Sequence, residues 1–116
     1  MSLPILKDEN SDKMFVNKWN KSEKCKDSAI AIGLQRIGSD FKWIDSQDEV
    51  SYSDWVNGEP NNAGGEENCV MHSSNGIGWN DIPCSTKTYK CIACQVGEED
   101  AIDSGESRFH FDVHPE

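Results

Sequence analysis

Basic side chains are scarce in this sequence of 116 residues: Lys and Arg number 11 against 21 Asp and Glu, a net charge of −10. Little here can neutralise a run of phosphates, which argues against a nucleic-acid partner. Long apolar runs are absent as well, so no segment reads as a membrane span, and the opening MSLPILKDEN lacks an apolar stretch long enough for a signal peptide. Histidine is limited to His72, His110 and His114 with no accompanying Ser or Cys motif, so enzymatic chemistry finds no candidate. Leu, Ile, Val and Phe together supply only 22 residues. Such a thin aliphatic complement with high charge borders on the composition of a disordered chain.

What is present pulls the other way. Five Cys, four Trp and many Gly and Asn turn residues describe a small single domain that needs disulfides or a metal to hold its core. The Cys content points to an oxidising, extracellular compartment, so the beginning of the chain is expected to lie upstream of Met1. Residues 1–96 read as the domain. Residues 97–116 read as an acidic tail carrying seven acids and one base.

The segment from Asp8 to Asn20 reads as a short helix, capped by Asp8 or Ser11, with Met14, Phe15 and Trp19 on one face. Ala29 to Leu34 reads as a strand, and Phe41, Trp43 and Ile44 as a second. From Ser51 to Gly78 the sequence is mostly Gly, Asn, Ser, Glu and Pro, the composition of a long functional loop. TYKCIAC reads as the last strand of the core. In the tail, RFHFDVH alternates apolar and polar residues and suits a strand wherever a sheet edge is free.

Between Trp55 and Asp81, the stretch WVNGEPNNAGGEENCVMHSSNGIGWND places five hard oxygen donors close together: Glu59, Asn61, Glu67, Asn80 and Asp81. Carboxylate and amide oxygens are what Ca²⁺ selects. Pro60 separates two of them, and an X–Pro bond takes the cis form at small cost. Taken singly, EPNN and ND are ordinary turn residues. Gathered at this spacing between Trp55 and Cys84, they point to a cation site.

These residues carry a resemblance to the C-type lectin domain family over a little more than half of the chain. Ala31–Leu34 (AIGL) resembles the family's WIGL strand with Ala in place of Trp, and Trp43-Ile44-Asp45 resembles its W-x-D step. Tyr52 and Trp55 precede GEPNN, Glu67 stands two residues before Cys69, and Trp79-Asn80-Asp81 precedes Cys84, all as in the family. The resemblance implies an α+β fold of short antiparallel strands with a helix and a long calcium-binding loop. It implies Ca²⁺-dependent carbohydrate binding through Glu59, Asn61, Glu67, Asn80 and Asp81. The EPN triplet is the form associated with mannose, fucose and N-acetylglucosamine.

The resemblance also implies a Cys69–Cys84 disulfide bracing the loop. It leaves Cys91 and Cys94 as alternatives for the last family Cys, with Cys25 the only other partner. The extra acids of an auxiliary calcium site are replaced by Gln35, Asn62 and Asn68, so one ion is expected. The chain starts at what looks like the family's second helix, so the first strand and first helix are expected to be missing. The last strand would then have an open edge, and Ile30, Ile32 and Ile92 would face water. Losing about 400 Å² of apolar burial costs on the order of 10 kcal/mol, so a poorly stable monomer is expected. Phe109, Phe111 and Val113 offer a replacement strand, or two chains share edges as a homo-oligomer and pair a spare Cys.

Two rival readings remain. Cys69-x-x-His72 with Cys91-x-x-Cys94 has the form of a structural zinc site. Alternatively, a lectin-like domain binds a protein ligand instead of sugar. His110, Asp112 and His114 alternate on one face of a strand, more in the manner of a solvated edge than of a metal site.

Overall fold

A computed structural model describes residues 2–73, 76–86, 90–96 and 108–113. His114 and the acidic stretch 97–107 lie outside the described residues.

Helix α1 spans Glu9–Asn20 and is capped by Asp8, whose Oδ1 accepts from the Ser11 N–H at 2.7 Å. Its buried face runs through Asp12, Phe15 and Trp19, with Met14 only half-buried. Spacings of three and four residues keep that trio on one side of the helix, and a buried acid in its first turn is not what the apolar pattern suggests.

Strand β1, Ile30–Ile37, runs three residues beyond its expected end and turns through Gly38-Ser39 into β2, Asp40–Trp43. Gly38 holds the positive φ this tight turn needs. Strand β3, Cys69–Ser73, pairs with β1 and with β4, Gly78–Ile82, giving an antiparallel sheet in the order β2-β1-β3-β4. This corrects the expectation of an irregular segment through Gly78. Val70 and His72 alternate inward from an interior strand, and His72 is used as a core residue, so the alternation carries only one aliphatic signal.

Strand β5, Cys91–Gln95, pairs antiparallel with β6, Phe109–Val113. On its other side, Ser2 exchanges backbone hydrogen bonds with Gln95. The incoming segment then crosses β1, where the Gly33 N–H donates to Pro4 O at 2.7 Å. A Cβ on Gly33 would stand 2.7 Å from Ile5 Cδ1 and 3.1 and 3.2 Å from the backbone oxygens of Pro4 and Leu3, so any larger residue crowds the crossing. The last strand, expected to have an open edge, is therefore paired along its length by β6 on one side and bridged at Gln95 by Ser2 on the other. Ile30 and Ile32 are buried at 0% and 2% exposure, contrary to the expectation that they face water. Ile92 is half-buried.

The core joins Leu6, Phe15, Trp19, Leu34, Trp43, Val70, Trp79 and Phe109. Disulfides link Cys25 to Cys91 and Cys69 to Cys84, leaving Cys94 free. The zinc reading thereby loses two of its four ligands, and His72 is wholly enclosed.

Candidate functional site

The segment between β2 and β3 is pinned at its middle. Trp55 bridges Trp79 of β4, and Trp79 N–H donates to Asp54 O at 2.7 Å. Gly78 allows that approach, since a Cβ there would stand 2.6 Å from Asp54 O. Beyond Trp55 the chain turns through Gly58 and the cis Glu59–Pro60 bond, then makes a short 3₁₀ turn at Ala63–Gly65 before entering β3.

Asp81 is the point on which this loop closes. Fully buried on β4, its Oδ1 accepts from the Asn61 N–H at 3.1 Å and its Oδ2 from the Asn62 N–H at 2.7 Å. Arg36 completes its partners, a guanidinium nitrogen lying 2.9 Å from Oδ2. Glu67 is tied back to the same turn. Its Oε1 accepts from the Ala63 N–H at 2.7 Å, and its own N–H donates to Asn62 Oδ1 at 3.0 Å. Asn61 Oδ1 also accepts from the Ala63 N–H, at 3.2 Å.

Glu59 is different. Its Oε1 is buried and has no hydrogen-bond partner among the described residues. Burial, then the adjoining Asp81 carboxylate and the charge of Glu67, push its carboxyl above the usual glutamate range. A buried carboxylate oxygen without a donor, beside two further carboxylates, is costly in the absence of a cation. The donor set fits a hard divalent ion such as Ca²⁺: carboxylates of Glu59, Glu67 and Asp81, with the amide oxygen of Asn61.

Four of the five residues expected from sequence are thus brought together by hydrogen bonds or close charges. Asn80 joins them only as the half-buried chain neighbour of Asp81, with no side-chain hydrogen bond to the other four among the described residues. Arg36 and the backbone N–H of Asn62 belong to the arrangement and were not expected. No local pattern in the sequence marks Arg36 for this position.

A second polar cluster lies beneath the loop. Asp12 Oδ1 is 3.0 Å from His72 Nε2 and accepts from Trp79 Nε1 at 3.3 Å, while Oδ2 accepts from the Tyr52 hydroxyl at 2.9 Å. Asp54 approaches the same imidazole at 3.9 Å. Burial opposes the charge on Asp12, but His72 and its other donors hold its carboxyl below the usual range. Burial and the Asp12 charge raise Asp54 to about 6. His72 Nδ1 is buried without a partner among the described residues. A metal-bound imidazole normally donates its second N–H outward, so this cluster reads as a structural hub that carries α1 against β3 and β4.

A small, disulfide-braced sheet presenting an oxygen-rich loop has the architecture of a binding module of the lectin class. The model of the lectin C-type domain matches residues 2–95, and the chain belongs to the C-type lectin domain family, which binds carbohydrate and is not enzymatic. Over 47 residues it is 47% identical to C-type lectin domain family 4 member G of Homo sapiens, spanning 40% of this chain and 15% of that protein. The C-type lectin CEL-I from Cucumaria echinata shares the fold, with a TM-score of 0.65 at 23% identity over 75% of this chain and 63% of that one. The C-type carbohydrate-recognition domain of cow CD23, solved with a GlcNAc2Man3 oligosaccharide present, is 31% identical. It superposes with a TM-score of 0.56 over 71% of this chain and 59% of that chain. The chain spans less than two thirds of the length of each of these relatives.

Proposed function

We propose that this chain binds mannose-type carbohydrate in a calcium-dependent manner, through Glu59, Asn61, Glu67, Asn80 and Asp81. The observation that carries this reading is the unpartnered, buried Oε1 of Glu59 beside Asp81, within a loop whose other oxygens are already positioned. Calcium bound there would supply open coordination positions that vicinal sugar hydroxyls can fill in place of water.

The chain's own groups then decide which diol fits. Glu59 and Glu67 accept hydroxyl protons, while the amide nitrogens of Asn61 and Asn80 donate to the hydroxyl oxygens. Asn61 engages the Ala63 N–H through Oδ1, and its NH₂ makes no hydrogen bond among the described residues, which leaves it for a hydroxyl. This acid–amide order suits mannose, fucose and N-acetylglucosamine. A single monosaccharide offers little apolar area, so affinity per site is low and useful binding rests on several copies.

The lectin domain would take in residues 1–96, with the acidic stretch 97–116 supplying β6, Phe109–Val113, to its core. The two disulfides suit an extracellular setting. The test is an exchange of acid and amide: Glu59→Gln with Asn61→Asp reverses donors and acceptors around the diol. The double variant should lose mannose and gain galactose preference in a competition assay. Unchanged preference would contradict the assignment of Glu59 and Asn61.

A further inference from the structure

Arg36 is a cation against the loop that the proposed function leaves unused. The register of β1 with β3 shifts between Ile32 and Gln35, and the end of β1 beyond the shift meets the loop that leads into β3. There the Arg36 backbone N–H donates to Asn68 O at 2.9 Å, and Nε donates to Glu67 O at 3.2 Å. A terminal nitrogen pairs with Asp81 Oδ2 at 2.9 Å, the same oxygen that accepts the Asn62 N–H. The guanidinium plane rests 4.4 Å from the centre of the Phe41 ring, its cross-strand partner. The Arg36 side chain is only 16% exposed, and that of Asp81 is fully enclosed.

We infer that Arg36 is a positioning residue, a built-in cation that holds the ligand loop in its ion-ready shape before any metal arrives. The geometry gives it three anchors at once. It grips the chain at Glu67 and at the residue that follows, through Glu67 O and Asn68 O. It neutralises one oxygen of Asp81, which lets that carboxylate accept from Asn61 and Asn62 while calcium is absent. Its planar fork reaches a carbonyl and a carboxylate together, which the ammonium of a lysine would not reproduce. Stacking on Phe41 fixes the plane and lowers the ordering entropy of the side chain.

This inference deepens the calcium reading and rests on it for the ion that follows. The brace itself acts without the ion, so the two fail separately. The experiment uses the full chain, with Arg36→Met, which keeps the stem, and Arg36→Gln, which keeps one donor without the charge. Amide hydrogen exchange is followed in chelator, and calcium titration is run beside it. The Asn61 and Asn62 amides should exchange faster in both variants by about tenfold, the scale of one lost charge-assisted hydrogen bond. Amides of the β1–β3 ladder should be unchanged, and half-saturation should need about tenfold more calcium. Unaltered exchange at Asn61 and Asn62, or tighter calcium binding by the variants, would overturn the inference. So would equal loss of protection across β1 and β3 in both variants, which would make Arg36 a general support of the sheet. A wild-type chain that ignores mannose would defeat the proposed function and leave the exchange result standing.

Discussion

Phe109 stands edge-on to Phe15, with ring centres 5.3 Å apart and planes at 82°, and neither ring is exposed. A residue of the acidic C-terminal stretch is therefore part of the core under α1, reinforced by Phe111 at 5.2 Å from the same Phe15 ring. Removing it leaves both a cavity and an uncovered β5 edge. Phe109→Ala should cost about 3–5 kcal/mol, and a chain cut at residue 97 should lose its cooperative urea transition. A truncated chain with an unchanged midpoint would contradict this role.

The Cys25–Cys91 bond ties the turn after α1 to β5 across 66 residues. Closing a loop of that length limits the unfolded chain, so Cys25→Ser with Cys91→Ser should lower stability by about 4 kcal/mol. Cys94, half-buried opposite His110, closes no loop. Its replacement by Ser should leave the denaturation midpoint and the sedimenting mass as they were. A drop in mass would show instead that Cys94 joins two chains.

The Asp12 hub gives a pH signature with a definite sign. The folded state holds the Asp54 proton more tightly than the unfolded chain does, with a pKa of about 6 against 3.8. Its charge therefore penalises the folded state fully above about pH 6, and the penalty vanishes below the unfolded value. Asp54→Asn should stabilise the protein at pH 7 by about 1 kcal/mol, allowing for solvent screening of a side chain 39% exposed. Near pH 3.5 the two proteins should match. An equal difference at both pH values would place the effect in packing rather than charge.

Calorimetry should find one calcium ion per domain, with a dissociation constant on the order of 10⁻⁴–10⁻³ M for an extracellular module. Binding should weaken as pH falls, with Glu59 affected first because its carboxyl already holds a proton more tightly than an ordinary glutamate. Two sites of comparable affinity would contradict this count.

The sequence was most legible where chemistry dictates residue type. Carboxylates and amides at 59, 61, 67, 80 and 81 are readable as oxygen donors before any fold is known. Helix α1 and strands β1 and β2 followed from apolar periodicity. Strand β3 was hidden because His72 stands where an aliphatic residue would have completed the alternation. The alternation in RFHFDVH announced a strand, but its partner depended on a contact between Phe109 and Phe15, 94 positions away by number. The choice of Cys91 over Cys94 depended on which face of β5 turns inward, where Cys91 and Ala93 are buried and Cys94 is not. Arg36 was silent because its pairing with Asp81, 45 positions on, follows a register shift between Ile32 and Gln35 that no local propensity marks.

The central claim is tested most directly by passing the full chain over immobilised mannose in calcium and then in chelator. The account predicts retention in calcium, complete elution by the chelator, and loss of retention in Asp81→Asn. Retention that survives chelation, or a folded chain that never binds mannose in millimolar calcium, would contradict it.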